Sequence, residues 1–311
     1  MIECQFGYYP KPINIEFDGL SISTLPNLNE IVKRISNHPQ TYKDWYYASP
    51  ASHHEFVSDK TKNLPYPNRV FSLPKTHSIK SNLSQSECDF FIWSLSFFTG
   101  MRLTSTDAGF LDSTIIKPDA LFDFITQANP AIEFSYSYAK DINNAHKLKN
   151  ISSIIHCLFL SKNPQSLSFE KFQYLYYALD GCFKVISLDY KFTKSEPKPK
   201  HAKRITWCCD KLGIPTPDFA TIQPEPYTVS RIRNETMHEA LFYGEPLGFA
   251  VSEDNASSKS NQEAFLLIRN MERLVCRMIV SLFNLSGSKY AQSPIKSESR
   301  DKHLLTFDNE M

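Results

Sequence analysis

The residues best suited to chemistry lie in one short run, Arg231-Ile232-Arg233-Asn234-Glu235-Thr236-Met237-His238. It combines guanidinium, amide and imidazole groups within eight residues. A histidine, whose ordinary pKa is about 6.5, can accept the 2′-hydroxyl proton of RNA near neutral pH. A guanidinium can hold the adjacent phosphate with two hydrogen bonds and stabilise the charge that grows on its oxygens. The 2′-oxygen would then displace the 5′-oxygen and leave a cyclic phosphate, with no metal required. Deoxyribose lacks that nucleophile, so DNA should resist.

These residues need an element to position them, and their pattern predicts a helix starting near Tyr227. At 100° per residue, Val229, Ile232, Thr236 and Ala240 share an apolar face with Met237 and Leu241 at its edge, while Arg231, Asn234 and His238 fall together opposite. Arg233 then points toward the apolar side, and a dimer interface there or a distorted first turn would be needed to bring it to His238. Ten arginines and nine histidines make an Arg–His pair at such spacing expected about once by chance, so its surroundings must carry the argument.

Other residue groups offer weaker chemistry. His53-His54-Glu55 has metal-ligand types but no further ligand nearby in sequence, and reads better as a surface loop. Lys191, Lys194, Lys198, Lys200, Lys203 and Arg204, with His201, form a basic stretch able to hold RNA backbone; a solvated linker is the plainer reading. Arg102 and Asp107 could line a sensor pocket or simply pair with each other. Tyr174, Tyr176 and Tyr177 could stack bases, although their helical spacing favours a core or interface role.

The rest of the chain supplies the frame. Residues 2–9, 13–17 and 20–24 alternate as strands do, with Asp18-Gly19 reading as a hairpin turn, and Leu28 to Ile35 has helical spacing. Residues 39–80 show little periodicity and read as irregular. Ser84 and Glu87 form a capping box ahead of a helix that is apolar nearly all round and stops at Gly100; residues 103–124 look extended. The helical pattern sets in near Ile142. It continues through Leu148–Phe159 spacing, a helix capped by Ser168, a short helix ending at Leu212-Gly213 and a last one over residues 262–285. The fold expected is α+β: a mixed domain over 1–140, an all-α helical bundle over 141–288, and a polar, disordered tail over 289–311.

Composition bounds the function. Of 311 residues, 13% are aromatic, so aromatic packing should dominate the core. Nine glycines and no Gly-rich phosphate loop argue against a nucleotide-hydrolase motif. A net charge of +1 confines any RNA contact to a local patch. Seven scattered cysteines include no C-x-x-C pair, which suggests neither a disulfide framework nor a zinc site. No leader-like start and no uninterrupted apolar span are visible, and a cytoplasmic protein without membrane contact is expected.

Arg233-Asn234-Glu235-Thr236-Met237-His238 resembles the R-x4-6-H signature of the HEPN superfamily. Residues 239–248 (EALFYGEPLG) and the amphipathic helix beyond resemble ApeA-like HEPN domains, and the likeness extends over 142–285, including an acidic residue, Asp180, on the helix before the motif. The resemblance implies a metal-independent endoribonuclease of phage-defence or toxin systems, without cofactor. Arg233 would bind phosphate, His238 would transfer the proton, Asn234 would orient one of them, and Asp180 would support the site or be an ordinary exposed carboxylate; Arg231, which helix geometry sets beside His238, stands second to Arg233. It also implies a homodimer whose two motifs line one cleft, with the N-terminal domain selecting RNA or sensing a regulatory protein or nucleotide signal. Two rival readings are an inactive HEPN-type dimerisation module that binds a nucleotide or partner, and a structural adaptor built on the aromatic-rich N-terminal part.

Overall fold

The structure is a computed structural model. It describes residues 1–17, 19–47, 50–52, 63–67, 73–105, 111, 113–142, 144–221, 228–248, 256–295 and 302–307, with the backbone alone for 50–52, 63–67 and 256–261. Helices and small sheets both build it, so the class is α+β. The chain divides into two compact units.

The first unit comprises Met1–Leu121, Thr126–Ala145 and Asn163–Gln165. Its strands and first helix are β1 (Ile2–Phe6), β2 (Ile15–Phe17), β3 (Leu20–Thr24), α1 (Leu28–Ser36), β4 (Thr41–Tyr42), β5 (Trp45–Tyr47), β6 (Pro50–Ser52), β7 (Asn63–Pro67) and β8 (His77–Ser81). An antiparallel sheet runs β1-β8-β3-β2, with Ile79 opposite both Cys4 and Ile22. The hairpin between β2 and β3 is present; its Asp18 lies outside the described residues. Gly19 at φ +80° is required there, since a Cβ would stand 2.5 Å from the Tyr136 hydroxyl.

The segment expected to be irregular holds strands instead. β8 is flanked by β1 and β3, β4 and β5 join β9 (Ser113–Ile115) in a second sheet, and β6 pairs with β7. In β8 the inward positions are His77, Ile79 and Ser81, so two polar residues occupy the buried face and hide its alternation.

α2 (Gln85–Thr99) begins with the expected capping box. The Ser84 hydroxyl accepts from the Glu87 N–H, the Glu87 carboxylate accepts from the Ser84 N–H at 2.7 Å, and Gly100 ends the helix in the left-handed region. Phe90, Phe91, Leu95, Phe97 and Phe98 are buried along it. Helical structure resumes at α3 (Ala128–Asp141), earlier than the periodicity suggested. α3 lies against α2 through an edge contact of Phe134 on Phe98 (5.8 Å) and stacking of Tyr138 on Phe90 (6.0 Å).

The second unit comprises Phe122–Ile125, His146–Lys162 and Ser166–Met311. It carries β10 (Phe124–Ile125), α4 (Ala145–Ser161), α5 (Ser168–Leu188), α6 (Arg204–Leu212), α7 (Thr228–Asn234), β11 (Leu241–Phe242), β12 (Glu245–Pro246), α8 (Ala256–Leu282), α9 (Lys289–Gln292) and β13 (His303–Leu304). It is mostly helical but not all-α, because β10 pairs in parallel with β13 and β11 pairs antiparallel with β12. Leu167, not Ser168, occupies the cap of α5, its N–H held by the Glu170 carboxylate at 2.7 Å. α4 and α5 approach so closely at Gly181 that a Cβ would meet the Ile154 side chain at 2.7 Å. No described helix is long and apolar enough to cross a membrane.

The tail expected to be disordered is folded over much of its length. Tyr290 of α9 is 1% exposed and donates its hydroxyl hydrogen to Asp123 at 2.5 Å. Arg277 of α8 donates to the Ser293 carbonyl at 3.1 Å and to the Ser293 hydroxyl at 2.9 Å. Buried pairing offsets the polar composition of the segment, and the partner Asp123 sits far away in sequence.

Candidate active site

The helical path does not stop where α7 does, at Asn234. The backbone continues into a π-helical turn, Glu235–Glu239, closed by the Ala240 N–H donating to the Glu235 carbonyl five residues back. Thr236 accounts for much of this locally. Its hydroxyl donates to the Ile232 carbonyl at 2.7 Å, taking an acceptor the regular ladder would use, and such back-bonding bends helices. Ala240 then turns left-handed at φ 55°, and the chain reverses through the β11–β12 hairpin, with Tyr243 and Gly244 at positive φ. Phe242 of that hairpin rests on Phe172 of α5 at 5.7 Å, which ties the turn to the helix bundle.

The wider turn changes which side chains meet. On a regular α-helix, residues five apart diverge by about 140°, whereas an i→i+5 turn brings them onto one face. Arg233 Nη1 stands 3.1 Å from His238 Nε2 and donates to Asn234 Oδ1 at 3.0 Å. Arg233, Asn234 and His238 are therefore together. Arg231, which regular geometry placed beside His238, is instead paired with Glu235 at 2.6 Å. The distortion lies in the last turn, after Arg233, rather than the first.

Accessibility is graded across the group. His238 and Asn234 are exposed and Arg233 is half-buried, while Val229, Ile232 and Thr236 anchor the element inside. Arg233 Nε is buried and has no hydrogen-bond partner. With Nη1 as donor, His238 Nε2 is the acceptor, which is the form of the ring able to take a proton.

Neighbouring elements extend the site. Tyr176 of α5 lies under the Arg233 guanidinium at 5.9 Å from its ring centre, and its hydroxyl meets His201 Nδ1 at 3.2 Å. His201 opens the short 3-10 turn His201–Lys203 that leads into α6. Burial, then the Asp180 carboxylate, raise the Tyr176 pKa, with Arg233 and Arg204 opposing. Loss of water, then the Arg204 charge, lower that of His201; Asp180 opposes, and Arg233 and Lys198 add to the lowering. A cationic field thus spans Lys198, Arg204 and Arg233.

The remaining candidates separate from this group. Asp180 pairs with Arg204 at 2.5 Å rather than with Arg233 or His238, and that bond removes Arg204 from the cations free to hold RNA backbone. Lys198, Lys200 and Lys203 are exposed. Tyr177 is 48% exposed, and Tyr174 is half-buried. Arg102 is buried with its guanidinium 3.3 Å from the Trp93 ring centre; Asp107 and His53-His54-Glu55 lie outside the described residues. Among the described residues no group of three or more His, Cys, Asp or Glu is placed to hold a metal ion.

Sequence reasoning missed Tyr176 and His201 as members of the group. The signal available was that Tyr176 and Asp180 stand four apart on α5, one turn of the same face. Comparison of the chain with protein-family models, curated proteins and solved structures gave no match.

Proposed function

We propose that the chain is a metal-independent endoribonuclease of the HEPN type, acting in the cytoplasm as a homodimer in a phage-defence or toxin setting. The observation that carries this reading is the 3.1 Å approach of Arg233 Nη1 to His238 Nε2 on an exposed π-turn. Single-turn π-segments inside helices occur often at functional sites.

The chemistry follows from the groups present. An RNA phosphate takes the Arg233 donors now shared with His238 and Asn234, which releases Nε2 to accept the 2′-hydroxyl proton. The guanidinium, carried on the π face of Tyr176, stabilises the charge on the phosphate oxygens as the 2′-oxygen attacks. The 5′-oxygen leaves, the proton held on the imidazole is passed on to it through solvent, and a cyclic phosphate remains. Met237, 48% exposed beside His238, and Phe265, 62% exposed on α8, supply apolar surface in support of pairing between two copies.

Labelled single-stranded RNA incubated with the protein in EDTA tests this. Cleavage should occur in the wild type and vanish in Arg233→Ala and His238→Ala, each keeping the wild-type unfolding profile. Cleavage that survives both substitutions overturns the assignment. Tight binding without cleavage would favour the inactive dimerisation module. Mass measurement in solution should give a dimer.

A further inference from the structure

The His201–Lys203 turn has two sides. His201 and the following Arg204 face α5, through Tyr176 and Asp180 respectively. Lys200, Ala202 and Lys203, together with Lys198, line a separate open cleft of ≈ 1230 Å³ between this turn and α6. Its apolar lining includes Trp207 and Ile214. Trp207 is held in place by the rings of Phe183 (5.3 Å), Tyr190 (5.4 Å) and Phe192 (5.7 Å), so that wall is preformed.

Charge selects the occupant. Three lysines line the cleft against one carboxylate, Asp210. Among the described residues no carboxylate lies within ion-pair distance of Lys198, Lys200 or Lys203, whereas Arg204 is already committed to Asp180 and Lys211 to Glu196. Lys198 rests over the Phe183 ring at 5.6 Å, a contact that leaves its charge uncompensated. Cations without a carboxylate partner beside an apolar hollow suit a ligand with a phosphate backbone and flat apolar faces, which describes single-stranded RNA. A peptide would need acidic and apolar residues in one particular pattern, and duplex RNA keeps its bases stacked away from such a hollow.

Resting on the ribonuclease reading, we infer that the RNA strand runs from Arg233 and His238 across the His201–Lys203 turn into this cleft. Bases beyond the scissile phosphate enter the Trp207–Ile214 hollow, and Lys198, Lys200 and Lys203 hold the backbone. The shared turn makes site and cleft adjacent stations on one strand. Arg204, by contrast, is a positioning residue that fixes the turn to α5.

The test uses 2′-O-methyl single-stranded RNA, which lacks the nucleophile, so binding is read apart from cleavage. Fluorescence anisotropy is measured over a salt series for the full chain and for Lys198→Ala/Lys200→Ala/Lys203→Ala, whose changed side chains are exposed and whose unfolding profile is matched to the wild type first. The variant should bind about ten-fold or more weakly, and its slope of log affinity against log salt should fall by about 2, as expected for three lost single-strand phosphate contacts. Unchanged affinity and slope, or binding of an acidic peptide in preference to RNA, would overturn the proposal. If the variant binds normally while the wild type cleaves RNA, the cleft path fails and the nuclease stands; lysine-dependent binding without any cleavage sinks the nuclease and leaves the cleft.

Discussion

The second unit contains two arginine–tyrosine pairs with opposite characters. Arg277 lies over Tyr290 at 4.6 Å, with the arginine side chain 3% exposed. Its Nε donates to the Ser293 carbonyl, Nη2 to the Ser293 hydroxyl and Nη1 to Asp123, so every guanidinium nitrogen is engaged. Arg233 lies over Tyr176, but its Nε has no partner and its Nη1 serves an exposed amide and an exposed imidazole. A saturated, sealed guanidinium holds the fold. One whose Nη1 bonds go to an exposed amide and an exposed imidazole is available to an anion that displaces them. The imidazoles divide in the same way. His77 in the first unit is fully buried against Phe6, and burial pushes its pKa down to about 4, whereas His238 is exposed.

The largest effect should come from exchanging the two arginines. Arg277→Ala removes a buried guanidinium and leaves Asp123 to Tyr290 and Arg273 alone, and should cost about 2–3 kcal/mol in urea unfolding, while Arg233→Ala should cost less than about 1 kcal/mol. Equal losses would mean that Arg233 is structural and the contrast false.

The sealed histidine gives the next effect, through pH. The unfolded chain protonates His77 near 6.5, but the folded chain resists until about pH 4. Its contribution is therefore complete above 6.5 and declines as the pH falls through the window toward 4, by roughly 3 kcal/mol in all. His77→Gln should flatten the stability curve there; a slope unchanged by that substitution would show the ring to be hydrated.

How much of this was legible depends on the range of the forces. The Ser84–Glu87 box, the Gly100 and Gly213 stops and the β2–β3 hairpin are local, and the sequence displays them. β8 escaped because His77 and Ser81 are buried only by virtue of their neighbours across the sheet. The folded tail escaped because Tyr290 finds Asp123 across 167 residues of chain. At the site, residue types and the R-x4-H spacing were readable, and the resemblance pointed to Arg233. A 100° step nevertheless selected Arg231, since a π-turn built by the Thr236 hydroxyl and a docked hairpin leaves no trace in periodicity.

Smaller effects sharpen the open side of the comparison. Tyr176→Phe removes the hydroxyl that meets His201 and should slow RNA cleavage roughly three- to ten-fold, the worth of one hydrogen bond. A rate equal to wild type would place that contact outside the mechanism. Arg231→Ala breaks a half-exposed pair with Glu235 away from His238 and should change the cleavage rate by less than about two-fold. A loss there as large as that of Arg233→Ala would return the role to the residue chosen by regular helix geometry.

The most direct test gives the protein a DNA strand carrying a single ribonucleotide, in EDTA, with the products weighed by mass spectrometry. The expected result is one cut, directly 3′ of the ribose, leaving a cyclic 2′,3′-phosphate, in the wild type but not in His238→Ala. Cuts elsewhere in the strand, a 5′-phosphate end, or the same products from His238→Ala would contradict the Arg233–His238 site.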